Sequence, residues 1–361
     1  IRARERNVSE IAERAEEKDP AWTLEQLLSS PTIAAKTWVH RQYDTTVRTN
    51  TVIGPGGDAA VVRVRGTNGA LALKTDCNGR YVYLDPRVGT HIAVCEAARN
   101  VACTGGRPRA ITNNLNFGNP RRPEVYFQLR ESVRGMGEAC IVLETPVTGG
   151  NVSLYNENPS GAVYPTPVVG MVGVIESLDH ITRSNFQLEG DTIVLLGEMT
   201  DELGGSEYLA RIHNTVAGAP PRCDLAGERA LIDALLDAIT AGLVHSAHDC
   251  SDGGLAVALA ECCTMNREKP LGAFVSLTDW ESIPPRALLF GEAQGRVIVS
   301  TVDPDAVMRH AKAHNVPARV IGTVGGPKDA LVITTSSNTL RASLSTLDEA
   351  YHEAIPKIMN R

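Results

Sequence analysis

Residues 110–153 read AITNNLNFGNPRRPEVYFQLRESVRGMGEACIVLETPVTGGNVS. Ala110–Leu115 has the pattern of a short strand. Pro123 then opens a long amphipathic helix over Glu124–Leu143, a position where proline's missing N–H has no helical partner to lose. A strand feeding a helix of that length is the unit of an α/β fold. Upstream, Ala59–Val64 and Ala70–Thr75 read as strands, the first alternating apolar and polar, after the turn-rich Gly54–Asp58. Between them and the quoted stretch, Thr90–Thr104 reads as a helix. Val94, Ala97, Ala98 and Val101 share one of its faces, and Gly105-Gly106 stops it. Downstream, Val163–Ile175 is a strand whose Pro165 and Pro167 suit a sheet edge or a strand entry.

The pattern restarts near Glu176–Gly190, where a domain boundary is expected. Strands at Thr192–Leu196, Leu243–His248, Ala273–Leu277, Arg296–Val302 and Ala318–Thr323 alternate with helices at Glu207–Ile212, Gly227–Ala241, Gly254–Met265 and Asp305–His314. That alternation predicts an α/β sandwich. The tail, Leu340–Met359, reads as helical. Residues 1–39 are charged and weakly helical, with a first residue other than Met, and are expected to be a linker or the end of a preceding unit.

Composition narrows the function. A chain of 361 residues, 43% hydrophobic, exceeds one core of about 100–200 residues, so two domains are expected. The formal charge of −7 and 4% aromatics exclude a nucleic-acid surface, which needs clustered cations and stacking platforms. No apolar run approaches the roughly 18–20 residues of a membrane span. None of the eight cysteines lies in a C-x-x-C pair or near a histidine at zinc-ligand spacing, so all are read as reduced structural thiols of a cytoplasmic protein.

The chemistry concentrates in a few segments. In Thr148–Ser153, paired glycines leave backbone N–H groups open to phosphate as an anion-binding nest, Asn151 offers a hard oxygen to Mg²⁺, and Ser153 offers a hydroxyl. The same glycines also fit an ordinary turn. Thr112–Pro120 gathers four asparagines at a strand end, the edge where α/β sheets hold ligands, although turn and cap duty explains Asn116 and Asn119. Lys74-Thr75-Asp76 ends a strand with a cation and a carboxylate, suited to phosphate and Mg²⁺ or to a plain surface end. Leu203–Tyr208 opens a helix whose free amides face any anion. In His248–Leu255, Ser251 or Asp252 is the expected N-cap. His248, Cys250 and Asp252 sit too close together on one strand and cap to form a catalytic triad. Phe290–Arg296 is a polar turn, able to hold a phosphate or sugar or merely to reverse the chain.

Taken in order, GPGGDAAV (54–61), KTDCN (74–78), LDPRVGT (84–90), NNLNFGNP (113–120), TPVTGGNVSLYNEN (145–158), DELGGSEYL (201–209), AHDCSDGGLAVALAE (247–261) and GEAQGR (291–296) resemble one family. It is the large subunit of phosphoribosylformylglycinamidine synthases, and the likeness is to its second half, over roughly residues 25–355. The resemblance implies the two-domain α/β architecture of the aminoimidazole-ribonucleotide synthetase superfamily: the end of a preceding half over 1–39, a sheet-pairing N-terminal domain over 40–176 and a C-terminal α/β sandwich over 177–361. It further implies an ATP-dependent carbon–nitrogen ligase of purine biosynthesis, with ATP and Mg²⁺ as cofactors. Gly150 and Asn113 would contact ATP, Asn151 would bind Mg²⁺ and Ser153 would touch the ribonucleotide substrate. The family often has Asp where Asn113 stands; Asn keeps the hydrogen bond and loses the charge.

No catalytic residue is assigned here, because His40, His91 and His245 match none of the family's first-half histidine motifs. Asp58, Lys74, Asp76 and Asp252 would form a second, auxiliary nucleotide and Mg²⁺ cleft. The implied partners are the N-terminal half of the same subunit, a glutaminase subunit supplying ammonia, and a small third subunit. The isolated chain is expected to be inactive and to form a homodimer through its first domain. Two other readings remain: a self-sufficient homodimeric synthetase or kinase of the same superfamily, and a nucleotide-stabilised scaffold without catalysis.

Overall fold

In the computed structural model, which describes residues 2–360, two mixed sheets contribute to one shared core, and the second sheet carries a further core on its other face. The first is built from β1 (Thr51–Ile53), β2 (Ala60–Arg63), β3 (Ala70–Asp76), β4 (Arg107–Asn116), β5 (Val147–Ser153) and β8 (Thr166–Ile175), in the order β1-β2-β3-β8-β4-β5. A two-stranded ribbon, β6 (Glu157–Asn158) and β7 (Gly161–Ala162), stands beside it. Period-two patterning decides its faces: Ala70 and Ala72 of β3 are buried, while Leu71 and Leu73 point to the open side. Helices Pro86–Cys103 and Pro123–Leu143 cover the buried side. Their approach is close. A Cβ on Gly173 of β8 would lie 2.3 Å from Val101 Cγ1, so only glycine lets that helix settle.

The second sheet contains β9 (Thr192–Leu196), β10 (Ser246–Asp249), β11 (Ala273–Ser276), β12 (Val297–Thr301), β13 (Ala318–Val324), β14 (Ala330–Thr334) and β15 (Thr339–Ser343), ordered β10-β12-β9-β13-β11-β14-β15. Helices cover both of its faces, which is why Ile193-Val194-Leu195-Leu196 and Val297-Ile298-Val299 read as unbroken apolar runs. Ile193 and Leu195 join one core with helix Gly254–Thr264. Val194 and Leu196 join the other, which also takes in Val94, Ala98 and Val101 of the first unit. The two units are therefore welded through helices Pro86–Cys103 and Leu225–Thr240.

Three expectations need correction, and one open alternative is decided. The weakly helical stretch near residues 20–28 packs as part of this chain: Asp19 caps helix Pro20–Leu28, whose Leu24, Leu27 and Leu28 are fully buried in the second unit's core. Of the two placements open to the β8 prolines the structure has the strand entry, since β8 is central and Pro167 stands opposite Leu115 before pairing to β3 begins at Val169. The helix expected at Thr90 starts at Pro86, because Asp85 accepts from the N–H groups of Arg87 and Val88. The tail is not helical throughout: Thr339–Ser343 is a strand with Leu340 and Ala342 inward, and Ser343 caps the helix that follows. No described helix is long and apolar enough to cross a membrane.

Candidate functional site

Strands β4 and β5 run parallel, joined by helix Pro123–Leu143, and their register pairs Asn113 with Gly150, Asn114 with Asn151, and Asn116 with Ser153. β5 is the edge strand, and almost all of it is exposed. The glycines do not form the expected nest. Neither Gly149 nor Gly150 has a positive φ, so both are extended, and an anion-binding nest requires a left-handed step. Gly150 is needed for another reason: a Cβ there would lie 2.1 Å from Asn113 Oδ1. The missing side chain lets the Asn113 amide lie across the neighbouring strand. Its Nδ2 lies 3.4 Å from Met136 Sδ. Asn151 Nδ2 donates to Asn114 Oδ1 at 3.1 Å, which uses the donor end of the amide and leaves a carbonyl oxygen of the kind Mg²⁺ accepts. Ser153 Oγ and the Asn156 amide are tied together at 3.1–3.2 Å, and Asn156 Nδ2 also donates to Phe117 O at 3.1 Å. Asn151 and Ser153 thus lie on one exposed edge with Asn114 and Asn116 of β4, while Asn113 and Gly150 face the helix side of the same sheet.

A second cluster lies where the two units meet. Lys74 and Asp76 end β3, Glu96 comes from helix Pro86–Cys103, and Asp252 follows β10, all half-buried. Burial and the charges of Asp252 and Asp249 push the Asp76 carboxyl up to about 7, against the pull of Lys74 and a hydrogen bond with Glu96. Burial and the same carboxylates push Glu96 well above its ordinary range. Asp252 is raised by burial, with Arg80 pulling it back and Glu207 adding to the rise; it also accepts from Asn78 Nδ2 at 3.1 Å. Burial works against the Lys74 cation, but Asp76, Asp58, Glu96 and Asp249 outweigh it and hold the charge. The arrangement suits a divalent cation and a phosphate.

Asp58 belongs behind this cluster rather than in it. Its Oδ1 lies 2.6 Å from His248 Nδ1, its Oδ2 accepts from the Asp249 N–H at 3.1 Å, and it is almost wholly buried. His248 Nε2 meets Glu261 Oε2 at 3.1 Å, and the two carboxylates overcome burial to hold the imidazolium well above its ordinary range. Cys250 is fully buried with its thiol pushed up to about 12, so it is no nucleophile.

The Gly204-Gly205-Ser206 helix start does not wait for an anion, because the protein supplies one. Glu292 Oε1 accepts from the Glu207 N–H at 2.8 Å and from the Gly253 N–H at 2.7 Å, and Tyr81 donates its hydroxyl to the same carboxylate. The Gly254–Thr264 helix is accordingly capped by Gly253 without a side-chain bond, in place of Ser251 or Asp252. Sequence reasoning missed Glu96, Asp249, Arg99 and Glu292; the available signal was charge inside the apolar run Val94-Cys95-Glu96-Ala97-Ala98-Arg99.

The raised carboxyls predict a pH dependence. Glu292 is pushed up by burial to about 8 and Asp76 to about 7, so their folded values exceed their unfolded ones. Their contribution to stability is full below the unfolded values and is lost as pH rises through about 7–8. His248, also raised, acts in the same direction. The melting temperature in chelator should fall from pH 6 to pH 9 by on the order of a few °C, and Mg²⁺ should recover part of the loss at the upper end. A profile that is flat or rises over that window contradicts this electrostatic account.

The model described as "AIR synthase related protein, N-terminal domain" matches residues 56–175, and "AIR synthase related protein, C-terminal domain" matches 189–334. Phosphoribosylformylglycinamidine synthase subunit PurL of Moorella thermoacetica is 50% identical over 361 residues, covering 99% of this chain and 48% of the relative. The chain spans about half the length of the curated relatives it matches. T. maritima PurL complexed with FGAR superposes with a TM-score of 0.77 at 20% identity, over 94% of this chain and 54% of that one. T. maritima PurL complexed with ATP gives 0.72 at 21%, over 91% and 52%.

Proposed function

The chain belongs to the AIR synthase related protein family, with its two domain models matched in succession, and on that premise we propose that it forms the second half of a phosphoribosylformylglycinamidine synthase large subunit. The reaction is conversion of formylglycinamide ribonucleotide, ATP and glutamine-derived ammonia to formylglycinamidine ribonucleotide, ADP and phosphate. One observation carries the assignment of its role: Gly150, Asn151 and Ser153 lie on an exposed edge strand whose outer side pairs with no strand among the described residues, as a half-site awaiting its complement would, with Asn113 beside Gly150 on the neighbouring strand. When bound, Mg²⁺-ATP supplies the phosphoryl group that makes the amide oxygen a leaving group. Asn113 and Gly150 hold the nucleotide, the Asn151 carbonyl takes the metal, and Ser153 contacts the substrate. Catalysis in such a cleft is mostly positioning and charge neutralisation. The histidine chemistry comes from the N-terminal half, and a glutaminase subunit and a small third subunit complete a cytoplasmic complex.

The half-buried Lys74, Asp76, Glu96 and Asp252 support a second, auxiliary cleft for a nucleotide and Mg²⁺ in this half. Turnover decides between the assignment and a self-sufficient homodimer. The 361 residues alone should form no formylglycinamidine ribonucleotide above a heat-killed control. In the full-length subunit, Asn151→Ala should lower kcat/KM for Mg²⁺-ATP by roughly 10–100-fold. Because Asn151 is exposed on an edge strand, the melting temperature should stay within about 1 °C. A large stability loss with unchanged kinetics would make Asn151 a strand residue only.

A further inference from the structure

Two of the cysteines read as inert core thiols meet in the structure. Cys95 lies on helix Pro86–Cys103 of the first unit, and Cys223 immediately precedes Asp224, the cap of helix Leu225–Thr240 in the second. Glu228 sits in that helix's first turn. The two sulfurs and a Glu228 carboxylate oxygen all lie within 4.8 Å of one another. Cys95 and Glu228 are buried and Cys223 is half-buried, so the group is enclosed on the protein side and reachable past Cys223.

The carboxylate is only half used. Glu228 Oε1 accepts from Arg99 Nη1 at 2.6 Å, whereas Oε2 is buried and has no hydrogen-bond partner among the described residues. A buried carboxylate oxygen without a partner is costly and calls for an explanation. The surrounding charge points the same way. Arg99 is shared between Glu228 and Asp249, so one cation faces two carboxylates.

We propose that Cys95, Cys223 and Glu228 bind a single divalent cation of the zinc class, which clamps the first unit to the second. Two thiolates and one carboxylate select a borderline-soft ion and reject Mg²⁺, which takes oxygen ligands only. Three protein ligands leave a fourth, tetrahedral position for water on the Cys223 side. Binding converts two thiols to thiolates and releases two protons for each ion taken up. Arg99 is the positioning residue: its bond to Oε1 fixes the carboxylate while Oε2 remains for the metal.

The test uses the full-length subunit, with Co²⁺ and Zn²⁺ as probes and no dependence on catalytic activity. Co²⁺ should give the near-ultraviolet thiolate-to-cobalt band and the visible bands of a tetrahedral site, with one equivalent of Zn²⁺ displacing it. Cys223→Ser should abolish the bands while keeping the far-ultraviolet dichroism, because Cys223 is half-buried and outside the helix. Cys95→Ser should do the same. Glu228→Gln should retain the thiolate band and weaken Co²⁺ affinity on the order of 10–100-fold. Bands that survive Cys223→Ser, no cobalt uptake by the reduced protein, or a Cys95–Cys223 disulfide in protein kept under reducing conditions would each overturn the assignment.

Discussion

Arg99→Met should be the most destabilising single substitution in the chain, costing about 3–5 kcal/mol, which lowers the melting temperature by on the order of 10 °C. Arg99 is fully buried and donates to Asp249 Oδ1 at 2.7 Å, Glu228 Oε1 at 2.6 Å and Gln294 Oε1 at 2.9 Å. It comes from the first unit, and all three acceptors come from the second. Methionine matches the stem but leaves two buried carboxylates with no counter-charge, and that desolvation is the main cost. Lysine should rescue little, since a point charge cannot reproduce three bonds from one planar fork. Arg99→Met combined with Asp249→Asn and Glu228→Gln should recover much of the loss, because the stranded charges are then gone. Urea denaturation of the four proteins decides. A loss under about 1 kcal/mol for Arg99→Met, or no recovery in the triple variant, would mean that this network does not weld the two units.

The fold was legible wherever one period dominated. Ala70–Thr75 alternates, Glu124–Leu143 repeats as a helix, and the runs at Thr192–Leu196 and Arg296–Val302 announced strands buried on both faces. It was illegible where a short element borrows its stability from distant partners. Thr51–Ile53 has three residues and exists by pairing with β2. Thr339–Ser343 was absorbed into the helical tail, because five residues of alternation beside a longer helix carry little weight. Helix Pro20–Leu28 read as only weakly helical, within a linker or the end of a preceding unit, since its apolar residues find their core only in the second unit.

The candidate site divides in the same way. Asn113, Gly150, Asn151 and Ser153 stood out because each belongs to a compact motif, and the β4–β5 register sets Gly150 beside Asn113 and Asn151 beside Asn114. The geometry of Gly149-Gly150 was not legible. Paired glycines fit a nest, a turn or a strand, and what decides is the Asn113 side chain from the neighbouring strand. Glu292 escaped for a related reason. Its partners, the amides of Glu207 and Gly253 and the Tyr81 hydroxyl, are brought to it by tertiary structure alone. The Cys95–Cys223–Glu228 group defeats spacing rules outright, because its ligands come from two units of the fold.

The isolated chain should run in light scattering at micromolar concentration as a dimer of twice the chain mass. The open side of the first sheet presents Leu71 and Leu73 of β3 and Val174 of β8, with Val172 opposite Leu73 in the register, and no helix among the described residues covers it. The face ends at β5, whose outer backbone has no strand partner among the described residues. An apolar sheet face bordered by an unpaired edge invites association. In the proposed subunit the first half fills this role; without it, a second copy offers the same surface, and a two-fold contact is self-complementary. The N-terminal segment is a poor substitute cover, because helix Pro20–Leu28 spends its leucines in the second unit's core. Leu73→Asp, a substitution at an exposed position, should leave the fold intact and halve the mass, and the first half of the subunit, added in excess, should replace the homodimer with a one-to-one complex. A monomer at the outset, or a dimer indifferent to Leu73→Asp and held through residues 177–361, refutes pairing by this sheet.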